Sequence, residues 1–208
     1  MPVARPGRRN RERVVAAVLT ILAASLGHAI RAAPVSGQVG IVGGANRDDV
    51  GDFVTADGLR LAGEVDGFHA GIFLSFQRGR FGARPAILYR QLRGAFVDTD
   101  LGAIDVEIIE IPLDLRVTAP LPVVRPYLVA GPVIMFPSSA RPAAQDALAN
   151  TRFRFDIGAG IEWNVGFRLW PEIRYGTVIG SLLRSDVRAA GQGSSRMSTF
   201  MLRLGISF

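Results

Sequence analysis

Few residue types in this sequence are able to do chemistry. There are two histidines, His28 and His69, and no Cys. Thiolate nucleophiles, disulfides and thiolate metal sites are therefore excluded. All 24 basic residues are Arg, which excludes a Schiff-base or P-loop lysine. A general base at His69 would need a hydroxyl beside it and an acid to orient the ring. Ser181, Ser185, Ser194 and Ser195 lie in polar connecting stretches without such an arrangement. His69 reads as a hydrogen-bonded interior residue, and neither enzymatic activity nor a cofactor is expected.

The acidic residues form two groups. Asp48, Asp49, Asp52 and Asp57 cluster in RDDVGDFVTADG. Their oxygens could take Ca²⁺, but the ligand spacing and the terminal Glu of a calcium loop are missing. A solvated external loop is expected there, with no metal. The second group is Glu110, Asp114, Asp156, Glu162 and Glu172, which share alternating segments with Arg116, Arg154, Arg174 and Arg203. Paired carboxylates could exchange protons with a substrate. With Arg on neighbouring strands they read instead as ion pairs, since buried charge is tolerated only when paired.

The segments that carry these residues have period two, the signature of strands with two unlike faces. In MSTFMLRLGISF, Phe200, Leu202, Leu204, Ile206 and Phe208 oppose Met201, Arg203, Gly205 and Ser207. In RFRFDIGAGIEWNV, Phe153, Phe155, Ile157, Ile161 and Trp163 oppose Arg154, Asp156, Gly158, Gly160 and Glu162. Residues 167–179 continue likewise, with Glu172 and Arg174 on the polar face. Residues 103–118 change phase: Asp105 and Glu107 have one parity, Glu110, Asp114 and Arg116 the other. A β-bulge near Ile108–Ile109 would restore a single polar face, and Pro112 fits a local break. Further strands are expected over about 37–46, 65–77, 82–94 and 124–136, which makes eight. An even count lets an antiparallel sheet close and removes its edges. Long polar connections alternate with short ones, the layout of outer-membrane barrels.

The mean hydropathy is +0.26 and 49% of residues are hydrophobic. After the first 32 residues no run approaches the roughly 18 apolar residues of a helical span. Those 32 residues read as a cleaved secretory signal: a basic RPGRRNRER, the apolar Val14–Gly27, then small residues with cleavage after Ala29 or Ala32. Arg8-Arg9 is not followed by the apolar residues of a twin-arginine signal, so the general export route is favoured. Residues 1–32 hold six of the 24 Arg and one of the 18 acidic residues, so their removal lowers the net charge from +6 to +1. A nucleic-acid partner loses its support, because that binding needs clustered positive charge.

Period two alone does not say which face is inside. A polar face of Gly with opposite charges suits the narrow interior of an eight-stranded barrel. Aromatics such as Phe153, Trp163, Phe167, Tyr175 and Phe208 suit interfacial girdles.

The chain resembles the bacterial outer-membrane protein β-barrel domain family from about Gly37 to Phe208. The resemblance rests on Gly67-Phe68-His69-Ala70-Gly71, Glu110-Ile111-Pro112-Leu113, Arg125-Pro126-Tyr127-Leu128 and Ala130-Gly131-Pro132. It continues through Gly158-Ala159-Gly160-Ile161-Glu162 and Glu172-Ile173-Arg174-Tyr175. Ala86 departs from the pattern, standing where the family often has an acidic residue. The terminal Phe208 resembles the signal read by the outer-membrane assembly machinery. The expectation is an eight-stranded antiparallel up-and-down transmembrane β-barrel at 37–208, in contact with outer-membrane lipid and with that machinery. Its lumen would be filled by ion-paired side chains. Its role would be structural or interaction-based, through external loops; a narrow porin-like channel and a soluble periplasmic lipid-binding barrel are the alternatives.

Overall fold

In the computed structural model the described residues are 36–55, 60–61, 63–98, 102–119, 121–140, 142–148, 150–180, 183, 192–193 and 196–208. The signal segment 1–32 lies outside them.

Eight long strands make the wall: β1 (Ser36–Asp49), β4 (Glu64–Arg78), β5 (Phe81–Asp98), β6 (Gly102–Thr118), β7 (Val124–Ser138), β8 (Arg152–Asn164), β9 (Arg168–Ile179) and β11 (Ser198–Ser207). Each pairs antiparallel with its neighbour, and β1 with β11 closes the ring. The result is a closed eight-stranded up-and-down β-barrel. Among the described residues no helix is long and apolar enough to cross a membrane.

Both ends of the barrel chain lie on the rim with the tight connections, whose described residues are 79–80, 119, 121–123 and 165–167. Gly79 and Gly166 turn two of these with φ of 60° and 97°, a region that residues with a Cβ rarely adopt. The opposite rim carries the longer connections. There the short strands β2 (Phe53–Val54), β3 (Arg60–Leu61) and β10 (Gln192–Gly193) extend the sheet above β5. The helix α1 (Pro142–Ala147) lies in the connection after β7.

The expected bulge at Ile108–Ile109 is absent. β6 keeps one register against β5 from Leu92↔Val106 to Phe81↔Val117, and one against β7 throughout. The irregularity lies higher, between Leu92 and Phe96, where Gly94 has φ of 64°. The parity of β6 never changes. Ile104, Val106, Ile108, Glu110, Asp114, Arg116 and Thr118 are all buried on one face. What changes is the chemistry of each face along the strand. Toward the long-loop rim the outer face carries Asp105 and Glu107, and the inner face is apolar. Below Ile108 the outer face is Ile109, Leu113, Leu115 and Val117, and the inner face is charged. The same crossover occurs outside β1, from Ile41 to Arg47 and Asp49, and outside β4, from Ile72 and Phe68 to Asp66 and Glu64. The barrel thus has two zones: an inverted zone with apolar side chains outside, and an upper zone patterned like a water-soluble protein. Phe53, Leu61, Ala144, Leu148 and Leu183 from the connections pack there on Val65, Phe96, Ile104, Val106 and Met135.

Arg substitutions on the outer face of β6 read this boundary directly. Leu113→Arg, in the apolar zone, is expected to cost about 2–4 kcal/mol, and Glu107→Arg about 0–1 kcal/mol. Urea unfolding of the refolded protein in lipid vesicles measures both.

Candidate functional site

The barrel wall encloses a set of buried ions, most of them in the inverted zone. Six arginines (Arg84, Arg90, Arg116, Arg154, Arg174 and Arg203) and six carboxylates (Asp48, Glu110, Asp114, Asp156, Glu162 and Glu172) are buried inside the wall. The equal numbers leave no net charge to be carried in a low-dielectric interior.

The pairs connect into chains. Arg154 donates to both oxygens of Glu110, at 2.6 and 2.9 Å, and to Asp156 at 2.6 and 3.0 Å. Arg90 donates at 2.9 Å to Glu110 Oε1, the oxygen it shares with Arg154, and also to Asp48 and Thr199. Arg174 grips Asp114 bidentately, at 2.8 and 2.5 Å, donates to Glu172, and lies 3.9 Å from Asp156. That last approach joins the first chain to the second. Glu172 also receives Arg84 and the Tyr127 hydroxyl, and Arg203 lies 4.0 Å away. Planar guanidinium forks can bridge two or three carboxylates at once, which a lysine ammonium does less well.

Glycines make room for these forks. A Cβ on Gly176 would collide with Asp156 and lie 2.9 Å from the Arg154 Cδ, and one on Gly158 would lie 2.8 Å from the Arg174 Cγ. The small residues that alternate with charge on β8 and β9 are therefore part of the ion-pair geometry.

Toward the short-turn rim the lattice ends on aromatic rings. Phe73, Tyr127 and Trp170 form a buried cluster against which Ala86 packs. Phe73 and Tyr127 meet the Trp170 ring at centroid distances of 5.9 and 5.8 Å. The Arg116 guanidinium lies 4.2 Å from the Trp170 centroid and 3.2 Å from Glu162. Trp170 Nε1 donates to the Ser207 hydroxyl at 2.8 Å. Among the charged lattice, Leu88, Phe73 and Trp170 line a cavity of about 10 Å³, room for a single water at most.

All nine ions singled out in the sequence lie inside the wall. Glu110 engages Arg90 and Arg154, while Arg116 engages Glu162. Sequence reasoning missed Arg84 and Arg90, although both share the inner parity of β5 with the buried Leu88. It also placed Asp48 in a solvated loop. Instead β1 runs to Asp49 and Asp48 is completely buried against Arg90. Asp52 does lie exposed, 3.3 Å from Arg60, and Asp57 lies outside the described residues. No group of three or more metal-ligating side chains occurs among the described residues. His69 is buried, with Nδ1 3.4 Å from the Asn46 side-chain oxygen, and Asn46 donates to Asp48 at 2.5 Å. The four serines considered with it lie outside the described residues. Phe208 is exposed, its N–H donating to the Val39 carbonyl at 3.1 Å.

No protein-family model matches the chain, and comparison with curated protein sequences finds no match. Among solved structures, Neisserial surface protein A is similar over 84% of this chain and 98% of its own, with TM-score 0.58 and 14% identity. The outer membrane protein OprG of Pseudomonas aeruginosa covers 83% of this chain and 96% of its own, with TM-score 0.49 and 9% identity. The fold is that of the small bacterial outer-membrane β-barrels.

Glu110 is the sharpest point at which to break the lattice. Glu110→Gln leaves Arg90 and Arg154 underpaired and is expected to destabilise the barrel by about 3–5 kcal/mol. Replacing the pair together, with Glu110→Leu and Arg154→Met, is expected to cost less than the single change. Denaturant midpoints in detergent micelles test the order.

Proposed function

We propose that this chain is an integral protein of the bacterial outer membrane that acts as a structural and contact-making element rather than as a conduit. The observation that carries the reading is the inverted zone: Ile41, Ile72, Leu113, Leu128, Ile157, Ile173 and Leu204 face outward while twelve ions are buried inside. In water that arrangement would expose a continuous apolar belt and bury charge, both unfavourable. In lipid the apolar belt becomes favourable, because it meets acyl chains, and the interior ions are tolerated because they stay paired within the wall.

Residues 1–32 serve as the cleaved export signal, and 37–208 as the mature barrel. Phe208 at the exposed end of β11 is the residue the assembly machinery reads. The ion-pair lattice fills the lumen and stiffens the wall. The cavity of about 10 Å³ between the interior ions supports a lumen closed to large-scale conduction. A soluble lipid carrier would need an apolar interior cavity, and the inner face here is charged. The surface left for recognition is the upper zone with its connections, where Arg47, Asp49, Glu64, Asp66 and Glu107 point outward. Connections carried on a rigid scaffold are where binding residues concentrate.

The protein is expected to fractionate with outer membranes and to migrate faster on gels before heating than after. In planar bilayers it is expected to open no large, stable channels. Recovery as a freely soluble periplasmic protein would overturn the membrane assignment. Stable channels of porin size would overturn the filled-lumen assignment.

A further inference from the structure

The outer wall is not uniformly rough. Between β6, β7 and β8, next to the short-turn rim, an open groove of about 510 Å³ is lined by Val117, Pro126, Leu128 and Ala159 and bordered by Arg80. A second hollow of about 490 Å³ shares Leu128 and Ala159 with it and continues along β8 and β9 between Ile157, Ile173 and Phe200. Together they form one apolar trough along the lipid-facing wall. Its floor is low because the outward-facing Ala130 and Ala159 are small.

The rim end of the trough is polar and positive. Arg80 is exposed in the turn after β4, and no acidic partner lies against it among the described residues. Its carbonyl accepts the Thr118 N–H at 2.8 Å, which fixes the turn over the end of β6. Thr118 itself has the inner parity of β6, so the polar group that the groove offers a ligand at this end is the Arg80 guanidinium. Arg78 also points to solvent, and none of the described residues at 79–80, 119, 121–123 and 165–167 is acidic. Exposed Phe81, Trp163 and Phe167 mark the same end as interfacial.

We propose that this trough is a specific seat for one anionic phospholipid of the inner leaflet, with an acyl chain along Leu128 and Ala159 and the headgroup phosphate on Arg80. The proposal rests on the membrane-barrel reading and adds a ligand to it. A guanidinium without a carboxylate partner suits a phosphate.

The test uses the full mature barrel refolded into phosphatidylcholine vesicles that carry a little phosphatidylglycerol with a photoreactive diazirine on its acyl chain. Irradiation and mass mapping are expected to find labels several-fold enriched on β7 and β8 around Leu128 and Ala159, relative to Val39, Ile41 and Ile72 on the opposite wall. Arg80→Gln is expected to reduce that enrichment several-fold, and Ala159→Leu, which fills the floor, to abolish it. The same label on phosphatidylcholine is expected to show less enrichment. Even labelling around the belt, or enrichment indifferent to both substitutions, overturns the seat. Enrichment lost with Ala159→Leu but unchanged in Arg80→Gln overturns the phosphate assignment. Heat-modifiable migration of the same samples reports separately on the barrel, so failure of the seat is distinguishable from failure of the membrane reading.

Discussion

A charge buried inside a closed barrel has to find its partner inside the same barrel. Neither water nor lipid reaches it, and leaving one ion unpaired is among the costliest defects a fold can carry. Much else in this chain follows from that constraint. It accounts for equal numbers of interior arginines and carboxylates. It favours Arg over Lys, because a planar fork can hold Asp114 and Glu172 while staying close to Asp156. It requires Gly176 and Gly158 where the forks pass close to the backbone. The proposed filled lumen would follow in turn, since side chains long enough to pair across a small barrel occupy its interior.

The second constraint is that the two faces of the wall exchange character along the strands, as two solvents outside would require. The switch at Ile108 on β6 is a change of side-chain chemistry rather than of geometry, because the ladder runs through it unbroken. Above the line an outward Glu107 suits water, and Ile104 and Val106 pack inside with side chains from the connections. Below it the roles of the two faces are exchanged. One strand with one parity thus serves a cap held by hydrophobic burial and a shaft held by ion pairs. On the membrane reading proposed above, the charged belt formed by Arg47, Asp66 and Glu107 would mark the height at which the wall leaves lipid.

The eight strands were legible in the sequence because period two is a local signal, and their order because short and long connections alternate. The interior parity of Glu110, Arg154, Glu172, Arg174 and Arg203 was legible for the same reason. Their partners were not. Arg90 meets Thr199 and Arg84 meets Glu172 across much of the chain, contacts fixed by closure of the ring. Asp48 was misplaced because it stands in an acidic run that looks like a loop, although it alternates in phase with Asn46 on β1. The apparent phase change in β6 was misread as a bulge because a one-solvent picture offers no other way for the polar face to switch sides.

The absence of Cys makes the central claim open to a direct measurement. Single Cys residues placed from Asp105 to Val117 on β6, spin-labelled in lipid vesicles, report collision with oxygen, which prefers lipid, and with a polar nickel chelate, which prefers water. Inversion predicts oxygen collision at positions 109, 113, 115 and 117, chelate collision at 105 and 107, and protection from both at 106, 108, 110, 114 and 116. Oxygen collision at 110, 114 and 116, or chelate collision along the whole outer face, would contradict it.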